Sequence, residues 1–541
     1  FSRMYKSRGN IQSERRLTQT LEAMLTFSKY MFNTVQVDAL AGIGKYLESY
    51  EGYGISYEDV HDAINEHDIS SAKGKFYPTS HTRKNEKRSQ FFKASFDILD
   101  KYVLTATLRR DGTDKFFPGN KYALFPSVSG AWKISNENFL KNISWINLLK
   151  LRASWGKTGQ DNLGSSLYGS YAPNNFKVNF SDNGIINIPY VSMGANYPDV
   201  SWQKTTMKNI GLDFYLLSDR ISGSFDFFRN DITRLLGYAS TSPLAIYETR
   251  PINGGHYYRR GWELMVDTKN LVGEFTWDTS LTFSKTNSFW KERLPNYDYQ
   301  IYQQRENEPM SAYYYYNVTG IINTDRSNMP ESQKTLQAEA QLPGCPIIED
   351  KNKDGKIDEN DVYMKDNSPA IYVGIGNTFT YKRFEFSFFM YGQFGIQKYN
   401  IAYSAAQAGP LAVDYPENSN KFAYRLWNSQ TNPNGSRPGL AIGKMGALPG
   451  NAWVNADREN ASFMRMRNIT LAYNLAGNIL GSLQRYVRNI KVYVDAQNPF
   501  ILTKFQGFDP EIYTGGGGAS GGSRGEHPQT RTFSLGANIT F

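Results

Sequence analysis

Residues Thr532–Phe541 read TFSLGANITF and show the clearest alternation of apolar and polar residues in the chain. One face carries the apolar residues Phe533, Leu535, Ala537, Ile539 and Phe541, whereas the other carries Ser534, Gly536, Asn538 and Thr540. A period of two is the mark of a β-strand that has one apolar and one polar face. The segment therefore predicts a strand that lies between an apolar and a polar environment.

The same alternation recurs in NIGLDFYL (Asn209–Leu216), LLKLRASW (Leu148–Trp155) and IKVYVDAQN (Ile490–Asn498). These strands run for roughly ten to fifteen residues, whereas strands of soluble sheets average about 5–6. A tilted strand needs about 9–11 residues to cross a membrane. Strand length therefore favours an all-β protein, a large antiparallel transmembrane β-barrel, over a soluble sandwich.

The composition fits this prediction. Aromatic residues make up 15% of the 541 residues, as two membrane-interface belts would need. The sequence contains no run of about 18 consecutive apolar residues, so no transmembrane helix is predicted. The net charge of +9 is spread along the chain without a basic block, so no nucleic-acid partner is expected. The one cysteine, Cys345, excludes a disulfide framework.

Loop lengths predict the orientation of the strands. Tight connections are expected at Leu99–Lys101, Leu217–Asp219, Asn270–Gly273 and Lys382–Arg383. Long connections are expected at Glu48–Arg88, Gly159–Gln203, Leu236–His256, Ile396–Ala461 and Gln506–Pro528. Outer-membrane barrels have short periplasmic turns and long extracellular loops. The first and last strands then both descend to the periplasm, which requires an odd number of strands. The sequence shows about sixteen such strand segments. The region 288–369 is the one part that loop lengths do not assign to a side of the membrane.

Several segments in order resemble the barrel of SusC/RagA-type TonB-dependent outer-membrane transporters. They are YVLTATLRRDGTDKF (Tyr102–Phe116), FPSVSGAWKIS (Phe125–Ser135), LKLRASWGKTG (Leu149–Gly159), NIGLDFYLLSDRISGSFDFF (Asn209–Phe228), NGGHYYRRGWEL (Asn253–Leu264), FMRMRNITLAYNL (Phe463–Leu475), VYVDAQNPFILTKFQGFDPEI (Val492–Ile512) and the terminal TRTFSLGANITF. The resemblance covers about Arg15 to Phe541, nearly the whole chain.

The resemblance implies a barrel of 22 strands that encloses a plug. This chain would supply about 15–17 of those strands, and residues 1–541 would form the C-terminal portion of the barrel. The plug and the box that binds TonB are not in this sequence and are expected in a preceding segment. The family also implies location in the outer membrane of a Gram-negative bacterium, among lipid, with a SusD-like surface lipoprotein as partner. TonB would act through the missing N-terminal region.

The stretch EDKNKDGKIDENDV (Glu349–Val362) resembles an EF-hand calcium loop, inserted at 345–366. The predicted ligands are Asp350, Asn352, Asp354, the carbonyl of Lys356, Asp358 and Asp361. Oxygen ligands at this spacing suit Ca²⁺, and Mg²⁺ fits less well. A structural ion is the favoured interpretation. A calcium switch and an ordinary Asn/Asp/Gly turn stay open as alternatives.

Other motifs are interpreted as structural. GGSRG (Gly521–Gly525) matches an esterase pattern but lies in a glycine-rich loop. The five histidines, His61, His67, His81, His256 and His527, are expected in solvated loops. The carboxylate pair Asp59 and Asp62 has no feature of a glycosidase site.

Two further motifs each have two interpretations. AYYYYN (Ala312–Asn317) is read as a membrane-interface belt, with substrate stacking as the alternative. FQGFDPE (Phe505–Glu511) is read as a structural corner, with a ligand or partner contact as the alternative.

The predicted function is TonB-dependent import of nutrient oligosaccharides, without catalytic residues or an organic cofactor. Import of oligopeptides by the same machinery is the first alternative. A passive porin or surface adhesin is the second. A soluble β-rich glycoside hydrolase is the last, because the alternating strands carry no fixed acid pair.

Overall fold

The structure, a computed structural model, describes residues 8–58, 69, 74–163, 167, 171–173, 180–182, 185–187, 190–192, 196–241, 249–295, 297, 299–400, 423–439, 448–449, 453–475, 481, 485–507, 509–511 and 529–541. Within these residues the regular structure consists of strands and short 3₁₀ turns, and no α-helix is present. None of the helical segments in the described part of the chain has the length and apolarity that spanning a membrane requires.

One antiparallel sheet, here called the wall, dominates the structure. Fifteen of its 16 strands pair in the order in which they occur along the chain. They are β1 Arg8–Met31, β2 Val35–Glu58, β3 Phe76–Ile98, β4 Tyr102–Thr113, β5 Tyr122–Lys133, β6 Ile146–Gln160, β7 Gln203–Leu216, β8 Ile221–Ser240, β9 Thr249–Leu271, β10 Phe275–Glu292, β11 Ile371–Tyr381, β12 Phe384–Phe394, β13 Phe463–Leu475, β14 Asn489–Gln497 and β15 Thr532–Thr540. The sixteenth, Ile501–Thr503, pairs with the start of β13.

Short strands and turns lie outside the wall. The strands are Tyr171–Pro173, Phe180–Asp182, Ile185–Asn187, Tyr190–Ser192, Ala312–Tyr316, Val318–Ile321, Pro346–Ile348, Tyr363–Asp366, Gln397–Tyr399, Trp453–Val454 and Arg458–Asn460. The 3₁₀ turns are Ile134–Asn136, Ile301–Gln303, Glu331–Thr335, Ala338–Gln341, Glu359–Asp361, Ala423–Arg425 and Asn455–Asp457. Most of these pieces belong to the long connections at one end of the wall.

The predicted tight connections are confirmed. Leu99 and Asp100 adopt φ of 57° and 53° between β3 and β4, and Lys382 adopts φ of 54° between β11 and β12. A left-handed backbone at the turn lets two strands reverse direction within a few residues. Short turns therefore lie at one end of the wall.

Two of the predicted long connections are shorter than expected. Strands β2 and β3 continue to Glu58 and from Phe76, and their register is unbroken from Val35 to Tyr57. At about 3.3 Å per residue, these hairpins extend well beyond the thickness of a membrane. The prediction of a loop over Glu48–Arg88 was wrong, because paired strands can satisfy their backbone in water as well as in lipid. The same holds for Leu236–His256, where β8 ends at Ser240 and β9 begins at Thr249.

The number of wall strands in chain order is odd, as the loop lengths required. Loop lengths left only 288–369 unassigned, and among the described residues the structure places no wall strand between Glu292 and Ile371. The predicted metal loop therefore lies at the long-connection end. The outer edges of β1 and β15 have no strand partner among the described residues, and in lipid such backbone groups need one.

The register gives the wall two different faces. Directly opposite residues share a face, so the outward stripe of Ile210, Leu212 and Phe214 continues into Phe225 and Phe227 on β8. The opposite stripe, here called the lumen face, carries Asn209, Asp213 and Tyr215 on β7. Among the described residues no second layer packs against the apolar stripe, which is how a membrane strand rather than a sandwich strand is built.

Candidate functional site

The lumen face carries paired charges where β6, β7 and β8 meet. The Arg152 guanidinium lies 2.8 Å from an Asp213 carboxylate oxygen and 3.0 Å from an Asp226 oxygen. The Lys150 ammonium lies 3.3 Å from Asp213. Two cations and two carboxylates thus balance one another along three strands. This pairing lets charged residues line the inner face without a large net charge.

At the long-connection end, the described residues of 293–370 and 395–462 form one unit, here called the loop body. Its core is made of seven buried residues, Tyr302, Tyr316, Leu336, Ile348, Ile357, Val362 and Val454. A smaller cluster of Ile322, Cys345 and Ile347 lies beside it. The two connections also share backbone contacts, because the Gly439 N–H donates to the Gly344 carbonyl over 2.9 Å. The loop body is therefore much larger than the predicted insert at 345–366.

The segment Ala312–Tyr316 lies in the loop body and not in the wall. It pairs with Tyr363–Asp366 on one side and with Trp453–Val454 on the other. The prediction of a membrane-interface belt was therefore wrong, because alternating tyrosines suit any small sheet that buries one face. Tyr314 and Tyr316 point to the core, and burial raises the pKa of both phenols above the usual value.

The other face of this small sheet carries three tyrosines, here called the tyrosine face. The ring centroids of Tyr315 and Tyr363 are 5.7 Å apart at an interplanar angle of 20°. The Tyr313 and Tyr315 centroids are 5.3 Å apart at 31°. Arg458 lies 3.6 Å from the Tyr313 centroid, and Lys351 lies 4.6 Å from the Tyr363 centroid. The result is a row of half-buried aromatic rings with a cation at each end.

The sequence offered only part of the signal for this face. The tyrosines stand in one motif, and substrate stacking was an alternative interpretation of it. Arg458 comes from the other connection, so only the tertiary fold brings it to Tyr313. No spacing in the sequence indicates that contact.

The motif FQGFDPE is anchored to the lumen face. Arg465 on β13 is 3% exposed at its side chain, and one of its nitrogens lies 2.7 Å from an Asp509 oxygen. Arg465 also donates to Glu511, and so does the Tyr391 hydroxyl. A buried Arg with two carboxylates fixes this segment against β12 and β13. The geometry supports the prediction of a structural corner.

The predicted metal loop has the backbone of such a loop. Gly355 adopts φ of +83°, the sharp turn expected at the sixth position. Ile357 at the eighth position is 4% exposed and packs in the core of the loop body. The Tyr316 hydroxyl donates to the Asp358 carbonyl over 3.0 Å. The loop is therefore held firmly at its second half.

The predicted ligands mostly accept hydrogen bonds from the loop itself. Asp361 is fully buried and accepts from the backbone N–H groups of Lys351 and Asp358, each over 2.9 Å. Asp354 accepts from the Lys356 N–H over 2.9 Å, and Asn352 Oδ1 accepts from the Asp354 N–H over 3.2 Å.

Asp350 differs from the other predicted ligands. Its Oδ2 accepts from the Gly355 N–H over 2.9 Å, whereas its Oδ1 is buried without a hydrogen-bond partner. Among the described residues, no three His, Cys, Asp or Glu side chains are grouped so that they could hold a metal ion. Calcium binding by this loop therefore stays a prediction.

The remaining sequence motifs have different outcomes. GGSRG, His61, His67, His527, Asp59 and Asp62 lie outside the described residues. His81 and His256 lie in β3 and β9, so the prediction that they occupy loops was wrong. Each imidazole is 3.6 Å from one carboxylate, His81 from Glu14 and His256 from Asp231.

Comparisons with known proteins agree with the geometry. A family model described as TonB dependent receptor-like, beta-barrel, matches residues 2–498. TonB-dependent receptor SusC of Bacteroides thetaiotaomicron is 29% identical over 475 residues, which cover 86% of this chain and 44% of that protein. TonB-dependent receptor P3 of Formosa agariphila is 27% identical over 549 residues, which cover 97% of this chain and 53% of that protein.

A solved structure has the same fold. The structure of the RagAB peptide transporter superposes with a TM-score of 0.79 at 19% identity, over 98% of this chain and 56% of that chain. The chain thus spans about half the length of the curated relatives that it matches. It belongs to the TonB-dependent receptor β-barrel family, and its wall is similar in fold to the barrel of the RagAB structure.

Proposed function

We propose that the protein containing this chain actively imports oligosaccharides across the outer membrane, driven by TonB and assisted by a SusD-like lipoprotein over the long-connection end. The chain itself supplies wall and loop body, and its part in the process is to bind and to conduct rather than to make or break bonds. Family membership supports the machinery. The cargo is argued from the loop body.

The tyrosine face is the observation that carries the choice of oligosaccharide. Flat, half-buried rings of Tyr313, Tyr315 and Tyr363 offer large contact area at low entropic cost to the C–H faces of sugar rings. The Tyr313 hydroxyl donates to Gln397, so we expect sugar oxygens to meet the Tyr315 hydroxyl and the guanidinium of the flanking Arg458 instead. Such a mixture of aromatic surface and a few polar groups is typical of small-molecule sites.

Binding measurements on the intact receptor test this choice. We expect calorimetric titration with a panel of glycans and peptides to show binding of oligosaccharides. The substitution Tyr315→Ala should weaken that binding roughly 2- to 12-fold. Tyr53→Ala is the matched control, because Tyr53 is 63% exposed on the outward face of β2, whereas the loop body connects strands between β10 and β13. Binding of peptides alone would overturn the choice of cargo.

Oligopeptide import by the same machinery is the second candidate. The structural relative with a TM-score of 0.79 is a peptide transporter, and at 19% identity that likeness concerns the fold. The tyrosine face would also accept peptide side chains. The same panel separates the two cargoes.

A passive porin or adhesin would differ in its energy requirement. We expect deletion of TonB in the native host to abolish uptake of the cargo, because a plugged barrel needs mechanical work to open. Uptake that continues unchanged in the deletion strain would support the passive alternative.

We also propose that the loop Asp350–Asp361 binds one structural Ca²⁺. The support is the ligand spacing, the φ of +83° at Gly355 and the buried Asp350 Oδ1 without a hydrogen-bond partner. A cation would satisfy that oxygen and join the first half of the motif to the half anchored by Ile357.

Metal analysis of the purified receptor tests the calcium proposal. We expect one equivalent of Ca²⁺ above background in the native protein and its loss in Asp350→Asn. Asp325→Asn is the control, because Asp325 is an exposed turn carboxylate of the same loop body, whose oxygen accepts from the Ser327 N–H over 3.1 Å. Equal calcium content in all three proteins would exclude the loop as the site.

A further inference from the structure

Three cations lie side by side on the outward face of the wall. In the register, Lys208 on β7 is directly opposite Arg229 on β8, and Arg229 is directly opposite Arg260 on β9. Directly opposite residues have Cβ atoms about 4.5–5.5 Å apart, and like charges at such positions destabilise a sheet. The arrangement therefore calls for an anion that lies over the three strands.

Among the described residues, one carboxylate pairs with this row. Arg229 pairs with Asp231 over 3.1 Å. Within the described residues, Lys208 and Arg260 form no ion pair, and both are exposed. Arg260 lies 5.1 Å from the Phe289 ring centroid, and Arg229 lies 4.4 Å from the Tyr258 centroid. Aromatic faces hold these guanidinium groups against the wall but leave their charge uncompensated.

The row is part of a longer basic band. The outward stripes also carry Lys45 on β2, Arg88 on β3, Arg110 on β4, Lys157 on β6 and Lys285 on β10. We call these eight residues the basic band. Each member lies roughly ten residues from the short-turn end of its strand, which is the length that a tilted strand needs to cross a membrane. The basic band therefore marks the membrane boundary at the long-connection end.

The band is confined to one side of the wall. The stripes that face outward on β11, β12, β14 and β15 carry no Lys or Arg within their strands. A general requirement of membrane interfaces would place cations around the whole circumference. A one-sided band instead indicates a particular ligand at this part of the perimeter.

Below the row the outward surface is apolar. Phe225, Phe227 and Leu264 follow towards the short turns, and the Phe225 and Trp262 rings lie 6.4 Å apart. A ligand that fits both features has an anionic headgroup at the boundary and acyl chains along the apolar stripe. Arginine suits phosphate oxygens because its fork donates two parallel hydrogen bonds.

We propose that the basic band binds a phosphate-bearing lipid of the outer leaflet, with Lys208, Arg229 and Arg260 holding the phosphate. Short turns are periplasmic in outer-membrane barrels, so the band faces the outer leaflet. The site is independent of the cargo, because it lies on the face opposite to the lumen.

Native mass spectrometry of the delipidated intact receptor tests the proposal. The probe is lipid A that carries two phosphates, with the same lipid after phosphatase treatment and inorganic phosphate as comparisons. We expect Lys208→Gln/Arg260→Gln to weaken binding of the phosphorylated lipid at least tenfold and to bind the dephosphorylated lipid as the native protein does. Inorganic phosphate should not bind measurably, because it lacks the acyl chains.

Two control variants separate the site from general charge effects. Arg259→Gln removes the neighbouring cation on the lumen face of β9, and Lys29→Gln removes an outward cation near the short-turn end of β1. Both should bind the phosphorylated lipid within twofold of the native protein. Lys208→Arg/Arg260→Lys keeps both charges and should restore most of the affinity, which also guards against a folding defect.

Several outcomes would overturn the proposal. Binding within twofold of native in Lys208→Gln/Arg260→Gln would show that the phosphate lies elsewhere. An equal loss in Arg259→Gln or Lys29→Gln would show a response to net charge alone. Saturable binding of inorganic phosphate that the double variant abolishes would assign the row to a free anion and not to a lipid.

Discussion

In the wall, Leu25 and Leu535 expose 76% and 83% of their surface, whereas in the loop body Tyr316 and Val362 expose none. The loop body is built like a soluble domain, with apolar side chains packed on one another. In the part of the chain that the structure describes, no second layer covers the wall, so its apolar stripe needs lipid as the partner. Alternation in a sequence therefore predicts the wall, but it predicts nothing about a body whose core is assembled from separate connections.

The junction between the two regions should be the most sensitive point. Arg465→Ala leaves the buried Asp509 and the half-buried Glu511 without their cation, and loss of one partner of a buried pair costs about 3–5 kcal/mol. In hydrogen-exchange measurements, we expect the free energy that protects the amides of residues 504–511 to fall by that amount.

The conservative variant Arg465→Lys provides the control at the junction. Lysine keeps the charge but lacks the planar guanidinium that bridges both carboxylates. The hydrogen-exchange protection of residues 504–511 should therefore fall by less than in Arg465→Ala. Unchanged exchange in Arg465→Ala would mean that other contacts hold this segment.

The core of the loop body should behave as in a soluble protein. Ile348 is 1% exposed, and Ile348→Ala should destabilise the loop body by about 2–5 kcal/mol. Limited proteolysis should cleave the loop body of this variant while the wall keeps its heat-modifiable mobility on gels.

Ile301→Ala is the matched substitution on the surface of the same unit. Ile301 is 71% exposed, so its replacement should change the stability by less than about 0.5 kcal/mol. Similar proteolysis of the two variants would contradict the existence of a separate core.

The wall should tolerate polar residues on one stripe only. Leu212→Arg places a charge on the lipid-facing stripe and should destabilise the barrel by about 2–4 kcal/mol near the membrane centre. Asn209→Arg, on the lumen face of the same strand, should cost much less. Urea-dependent folding into lipid vesicles measures both, and equal effects would contradict the assignment of faces.

The smallest effect is expected at a short turn. Lys101 donates to Glu137, as do Tyr102 and Trp132, and these bonds lower the pKa of the carboxyl from 4.5 to about 2. A depressed carboxyl pKa contributes stability above the unfolded pKa and loses it as pH falls through the folded pKa. The contribution should therefore vanish only between about pH 4.5 and pH 2. The free energy of unfolding of the native protein and of Glu137→Gln, measured over that pH range, tests this contribution. Parallel curves of unfolding free energy against pH would refute it.

Much of the wall could be predicted from the sequence. Strand faces at Asn209–Leu216 and Ile490–Asn498 follow from a period of two, because lipid and lumen impose it on every residue. How far the hairpins extend beyond the membrane could not be predicted. Beyond the membrane, strands such as β2 continue without a clear apolar stripe, and only the pairing partner keeps them extended.

The loop body escaped prediction for a different reason. Its core joins Tyr316 to Val454, and its tyrosine face joins Tyr313 to Arg458, across two connections with a wall hairpin between them. No local pattern encodes such pairs. The calcium motif was readable because its residues lie within one short loop, although the structure shows its carboxylates accepting backbone hydrogen bonds.

The orientation of the two stripes can be measured most directly by spin labels at successive positions of β7. Single cysteines from Asn209 to Phe214, in a Cys345→Ser background, would be labelled and tested for collision with oxygen and with a water-soluble nickel chelate. We predict high oxygen accessibility at Ile210, Leu212 and Phe214 and high nickel accessibility at the alternate positions. A profile without a period of two, or with nickel accessibility at Leu212, would contradict a wall that separates lipid from lumen.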